Sequence, residues 1–317
     1  MLIAQFQPKP PYDFPHLLAV LARYAHPSLD FVHENAYWRI LTTGDGLALV
    51  RVVSRGTRDE PLLEAHLVSA TGEIDPDLLR RKLDYMLHLN VDHSAFYDAA
   101  RSYPELWRVV EPIYGLPSLR SESIFEALML TVIEQQIAWV AAQRGQRFMV
   151  EWGGRCIRFN GKTFYAFPTP EQIAAAQEEE LRPTKITNRR IRLMIDIARR
   201  QAAGELDLER LRDLSPEEAF GALVSMKGIG GWTAAWTINR GLGHLGFVGY
   251  NDVALQAAVN HYFYGQKGRL TEEQVQATFE RYGAFAGAAA FFTITRWVLD
   301  RYADSLAQVE LNGHSTY

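Results

Sequence analysis

The chain has 317 residues, 48% hydrophobic and 22% charged, enough apolar material for about two ordinary globular domains. A formal net charge of −4 excludes a protein that coats nucleic acid by bulk charge, though not one with a local basic face. The single cysteine, Cys156, excludes an internal disulfide and a four-cysteine iron–sulfur cluster, and fits a reducing cytoplasmic compartment.

Residues 1–10 lack the basic-then-apolar order of a secretion signal, and no run reaches about 18 uncharged apolar residues, so neither secretion nor a membrane span is expected. Residues 14–24 have helical spacing. Residues 37–42 and 47–53 read as strands joined by Gly44-Asp45-Gly46, and 63–69 as a third strand ended by Thr71-Gly72. Residues 75–89 carry Leu78, Leu79, Leu83, Met86 and Leu87 at helical spacing. A boundary is expected over 112–117, giving an α+β domain 1–115 and a mostly helical domain 116–317. Helix starts with capping boxes are expected at Thr169, Ser215 and Thr271. Between them, residues 156–167 read as two short strands around Asn160-Gly161, a type I′ turn signal. Residues 310–317 read as a loose tail.

Arg182, Lys185, Arg189, Arg190, Arg192, Arg199 and Arg200 form a basic stretch, either a solvated helix face or a phosphate-contacting one. His244 and His261 lack metal-ligand spacing with any carboxylate pair, so no zinc or iron site is expected.

The most informative stretch is Val224-Ser225-Met226-Lys227-Gly228-Ile229-Gly230-Gly231-Trp232-Thr233-Ala234-Ala235-Trp236, followed by Tyr250-Asn251-Asp252-Val253-Ala254-Leu255-Gln256. It reads as helix, glycine hairpin, helix, and then a lone carboxylate. Gly228 and Gly230 permit a backbone with positive φ and a close approach of main chain to a ligand. The amides of Gly228–Gly231 then sit at a helix N-terminus, which suits a phosphate oxygen. A nucleotide phosphate loop would end in Gly-Lys-Ser/Thr, whereas Trp232 and Thr233 stand here. By spacing alone Asp252 is an N-cap aspartate.

These residues, with Ile133-Glu134-Gln135-Gln136-Ile137-Ala138, Phe167-Pro168-Thr169-Pro170-Glu171 and the N-terminal Pro10-Pro11-Tyr12-Asp13, are similar in order and spacing to the helix-hairpin-helix DNA glycosylases, and within them to the AlkA-type branch. The resemblance spans nearly the whole chain. It implies an α+β fold with a small antiparallel N-terminal sheet and a helical glycosylase domain. It places Asp252 on the catalytic aspartate, where an ionised carboxylate at a helix N-terminus steadies an oxocarbenium-like sugar and orients water.

Trp232 falls where the bifunctional members carry a lysine nucleophile, so no Schiff base is expected and the enzyme is monofunctional. Lys227 lies before the hairpin and is expected to meet a phosphate rather than replace that lysine. Trp232 and Trp236 fall on base-pocket positions, as does Phe285 by a looser match, and an aromatic face suits a cationic alkylated base. Gln135 and Gln136 fall in the region that enters the duplex, with Gln136 as the plug where the branch has leucine. Gly228, Gly230, Gly231 and Thr233 are the expected DNA contacts of the hairpin. The carbonyls of Val224, Met226 and Gly228 map onto a monovalent-cation site for Na+ or K+; no other cofactor is required.

The expected function is therefore release of 3-methyladenine and 7-methylguanine from damaged double-stranded DNA, by a monomer in the cytoplasm at the nucleoid. The alternatives are a glycosylase for deaminated or oxidised bases, and a non-catalytic helix-hairpin-helix DNA-binding protein.

Overall fold

The computed structural model describes residues 1–24 and 29–312; side chains are described up to Ala22 and from Leu29 to Arg301. In chain order the elements are β1 (Leu2–Phe6), α1 (Phe14–Tyr24), β2 (Phe31–His33), β3 (Ala36–Thr43), β4 (Gly46–Ser54), β5 (Leu63–Thr71), α2 (Pro76–Met86), α3 (Ser94–Arg101), α4 (Pro104–Val110), α5 (Ile124–Glu134), α6 (Trp139–Gly153), β6 (Cys156–Phe159), β7 (Lys162–Tyr165), α7 (Pro170–Ala175), α8 (Glu178–Leu181), α9 (Asn188–Ala202), α10 (Pro216–Val224), α11 (Gly231–Leu242), α12 (Val253–Tyr264), α13 (Glu272–Glu280) and α14 (Ala286–Asn312).

The expected α+β class holds. The three expected strands are present, joined by two further ones, β1 and β2, in an antiparallel sheet of order β1-β5-β4-β3-β2. β1 and β2 escape the sequence pattern because both are short edge strands that alternate weakly. All three capping boxes form. Asn160 and Gly161 both take positive φ, as a type I′ turn requires. Of the expected tail, residues 310–312 end α14, and 313–317 lie outside the described residues. Among the described residues no helix is long and apolar enough to cross a membrane.

By contact the chain forms two compact units, residues 1–91 with 117–244, and residues 92–116 with 245–317. A single cut at 115/116 does not separate them, because the sheet shares its unit with the hairpin helices and the chain returns to the second unit at Leu245.

The first unit explains why β3 and β4 are buried along almost their whole length. On one face Trp38, Ile40, Leu47 and Leu49 pack on Ile157 and Phe164 of the β6–β7 hairpin, with Trp38 and Phe164 stacked at 5.7 Å. The opposite face carries Tyr37, Arg39 and Leu41, since successive strand residues alternate. Arg39 is 2% exposed. Its guanidinium meets both Glu126 oxygens on α5 at 2.7 Å and Asp30 at 2.7 Å. Burial opposes the Arg39 charge, but Asp30 and Glu126 outweigh it and hold the group well above its ordinary value. A second tie runs from Lys82 on α2 to Glu122 at 2.5 Å and to the Thr42 carbonyl at 2.7 Å.

α5 is mostly apolar and buried along nearly its whole length, as a helix enclosed by neighbours should be, with Glu126 and Thr131 its buried polar residues. α6, α9 and α11 surround it. In the second unit α12 and α14 pack together, and Phe96 of α3 stacks on Phe292 of α14 at 4.9 Å.

Removing Glu126 leaves the buried Arg39 cation with one of its two carboxylate partners, Asp30. Glu126→Ala is expected to cost about 3 kcal/mol, read as a lower urea midpoint, while Arg39→Met combined with Glu126→Leu should cost less than the two single changes summed.

Candidate nucleic-acid interface and catalytic carboxylate

α10 ends at Val224, and the chain turns through Ser225–Gly230 into α11. The Met226 carbonyl accepts from the Ile229 amide at 3.0 Å, and Ile229 is buried as the anchor of the turn. Gly228 has φ +93, and a Cβ there would stand 3.0 Å from the Leu193 side chain of α9. Gly230 differs from expectation: its backbone is extended, φ −95 and ψ 175, with open space where a Cβ would sit. Gly230 is the N-cap of α11, and an N-cap takes β-region angles. Only Gly228 therefore needs the left-handed half of the map.

The Gly230 carbonyl takes the first α11 bond, from Ala234 at 2.9 Å. The amides of Gly231, Trp232 and Thr233 precede that bond, and glycine brings no side-chain cap to cover them. Gly228, Gly230 and Gly231 are exposed, as is Lys227 beside them. An exposed helix N-terminus with a lysine at its edge can seat an anion.

Trp232 and Trp236 lie one helical turn apart, both half-buried, with ring centroids 6.4 Å apart and planes at 59°. Arg240, one turn further, stands 5.4 Å from the Trp236 ring and pairs with Glu134 of α5 at 2.7 Å. Neither Glu134 nor Arg240 emerges from sequence reasoning. The spacing of Trp236 and Arg240 held half the signal, but Glu134 reaches them only through the packing of α5 on α11.

The end of α5 leads into a tight turn. Gln135 has φ −51 and ψ 124, and Gln136 has φ +51. Those angles are the centre of a type II turn, whose second position favours glycine. Gln136 is exposed, as expected of a plug. Gln135 is instead turned back on the hairpin. Its Nε2 donates to Thr233 Oγ1 at 2.9 Å and lies 3.4 Å from the Gly228 carbonyl.

The carbonyls of Val224, Met226 and Gly228 sit at the helix end and in the turn, where that of Met226 accepts from the Ile229 amide and that of Gly228 faces Gln135 Nε2.

The basic stretch divides. Arg182 pairs with Glu179 and Arg192 with Glu178, Arg190 is buried, and Arg199 donates to the Ala174 carbonyl. Lys185 and Arg189 are exposed. Among the described residues no cluster of His, Cys, Asp and Glu could hold a metal ion.

Asp252 and Phe285 belong to the second unit. Asp252 is the N-cap of α12 and half-buried, and its Oδ1 accepts from the amides of Ala254 at 2.8 Å and Leu255 at 3.0 Å. Those two bonds anchor one carboxylate oxygen at the head of α12. Phe285 ends a short 3-10 turn, half-buried, 6.1 Å from Phe96.

Residues 129–284 match the model of the HhH-GPD superfamily base excision DNA repair proteins. A DNA-3-methyladenine glycosylase of Bacillus subtilis is 34% identical over 229 residues, 72% of this chain and 76% of that one. DNA-3-methyladenine glycosylase 2 of Escherichia coli is 26% identical over 74% of this chain and 78% of its own. Among solved structures, a 3-methyladenine DNA glycosylase of Archaeoglobus fulgidus superposes with a TM-score of 0.78 at 24% identity, covering 94% of this chain and 98% of that one.

Two outcomes follow from the backbone. Gly228→Ala meets both a positive φ and Leu193 and should cost about 2 kcal/mol or more, against about 1 for Gly230→Ala, a weaker N-cap in open space; urea titration reads both. At the α5 turn, Gln136→Gly should leave the unfolding midpoint almost unmoved, since relief of strain offsets the added chain entropy. Gln136→Val should lower stability by about 1–2 kcal/mol.

Proposed function

The chain belongs to the HhH-GPD superfamily of base excision DNA repair proteins, and from that premise we propose that it is a monofunctional DNA glycosylase for alkylated purines. 3-Methyladenine and 7-methylguanine in duplex DNA are its substrates, and it acts as a monomer at the nucleoid. The observation that carries this reading is Asp252, a carboxylate held by two backbone amides at the head of α12.

A backbone phosphate is seated on the first-turn amides of α11, with Lys227 beside it. The carbonyls of Val224, Met226 and Gly228 would hold Na+ or K+, which supplies positive charge for the same phosphate. The damaged nucleotide leaves the stack, and Gln136 fills the gap. Trp232, Trp236 and Phe285 supply aromatic surface for the flipped base. A ring-alkylated purine is cationic, so its face-on contact with an indole is worth about 0.5–2 kcal/mol. Arg240 stands over Trp236, but Glu134 neutralises it, so the pair presents no net charge to the base.

The N-glycosidic bond then breaks with its electron pair leaving on the base. That quenches the positive charge on the purine, so no general acid is required. The sugar becomes oxocarbenium-like, and the Asp252 carboxylate stabilises it and orients a water. Water adds to the anomeric carbon, its proton passes to the carboxylate and on to solvent, and an abasic site remains. Trp232 offers no amine, so no Schiff base forms and the strand stays intact. The names of the Bacillus subtilis and Escherichia coli relatives support the alkylated-base class. No observation favours deaminated or oxidised bases, or a binding-only role.

Single-turnover base release from methylated duplex DNA tests the reading. The native protein should free methylpurine and leave a strand that breaks only in alkali. Asp252→Asn should lose at least about a hundredfold in rate, the range of one catalytic group, with its unfolding midpoint preserved because asparagine caps as well as aspartate. Equal release by both proteins would remove Asp252 from the chemistry.

A further inference from the structure

Gln136 holds a positive φ of 51°, a strained backbone for a non-glycine residue. Something must hold it there, and the two residues before it are both committed to the same helix. Gln135 spends its carboxamide N–H on Thr233 Oγ1 at 2.9 Å and on the Gly228 carbonyl at 3.4 Å. Thr233 is 3% exposed and Gln135 half-buried, so that bond is partly shielded from water. Glu134 pairs with Arg240 at 2.7 Å and also accepts from Gln146 of α6 at 2.8 Å. Thr233 lies in the first turn of α11 and Arg240 in its last, about 10 Å apart along the axis. Consecutive residues thus grip both ends of one helix, immediately before the exposed side chain.

We propose that Glu134 and Gln135 are positioning residues, a two-point latch that sets Gln136 at a fixed place relative to the hairpin. Gln135 then acts through the hairpin and not on DNA directly. The latch gives insertion of Gln136 and seating of the phosphate a common rigid frame, so the ordering cost is met before DNA arrives. The salt bridge fixes Trp236 through Arg240 in the same frame. The part of this that concerns DNA rests on the base-flipping reading above; the part that concerns the free protein does not.

The test is a double-mutant cycle of Gln135→Ala and Thr233→Val in the full chain, with two readouts. In the free protein, amide hydrogen exchange over residues 135–139 should quicken about tenfold in either variant and no further in the double. Thr233→Ser, which keeps the hydroxyl, should restore native exchange. With duplex carrying 2-aminopurine beside a methylated purine, either variant should lose about tenfold in single-turnover base release and in the fluorescence step that reports insertion. The double variant should be no worse than the singles. Native exchange rates in Gln135→Ala, or losses that multiply in the double variant, would overturn the latch. Quickened exchange in the variants, with no base release by the native protein, would uphold the latch and overturn the flipping reading instead.

Discussion

A guanidinium with 2% of its surface exposed must be neutralised where it lies, and Arg39 is neutralised by Asp30 and, from α5, by Glu126. The rest of the first unit depends on that constraint. β3 places Arg39 on the face opposite Trp38, and Glu126 meets it with both oxygens, which ties the sheet to α5. Such pairs add little net stability over a good apolar contact, but they are intolerant of a missing partner. The helix that receives the charge at one end carries Glu134 at its other end, and the Gln135–Gln136 turn follows. The sheet therefore serves the interface by holding α5, without offering any chemistry of its own.

The hairpin works by a similar economy. One glycine, Gly228, supplies the left-handed backbone, and Leu193 closes over it from α9. The other, Gly230, is an extended N-cap that brings no side-chain cap to α11. A serine or aspartate at that position would cap the helix better and would occupy the donors a phosphate needs. Asp252 shows the converse arrangement. It caps α12, and the cap is what orients the carboxylate proposed for the chemistry. On that proposal the cap and the chemistry share one side chain, which is why asparagine, a good cap without the charge, separates them.

Legibility in the sequence followed the range of the interaction. Capping boxes at Thr169, Ser215 and Thr271 span three residues and were plain. So were the Asn160-Gly161 turn and the central strands β3, β4 and β5, whose burial leaves a strong apolar signature. The edge strands β1 and β2 carry no such signature, because pairing on one side alone demands little of a side chain. Among the site residues, Trp232 and Trp236 declared their shared side by helical spacing, and Asp252 declared its cap. Gln135 did not declare its partner, since Thr233 stands 98 residues away. The basic stretch read as one face, yet Arg190 is buried and Arg182 and Arg192 are paired with glutamates.

The sequence by itself determined the family, the hairpin, the alternation of sheet and helices, and the absence of a lysine at Trp232. Each is written in residue type and short spacing, where local backbone geometry leaves few choices. Tertiary structure decided which charges are silent and which side chains are spent. It joined Arg39 to Glu126 and Glu134 to Arg240, turned Gln135 inward and Gln136 outward, and drew residues 1–91 and 117–244 into one unit. Those outcomes depend on desolvation and on partners distant in the chain, and a pattern of neighbours along the sequence does not encode either.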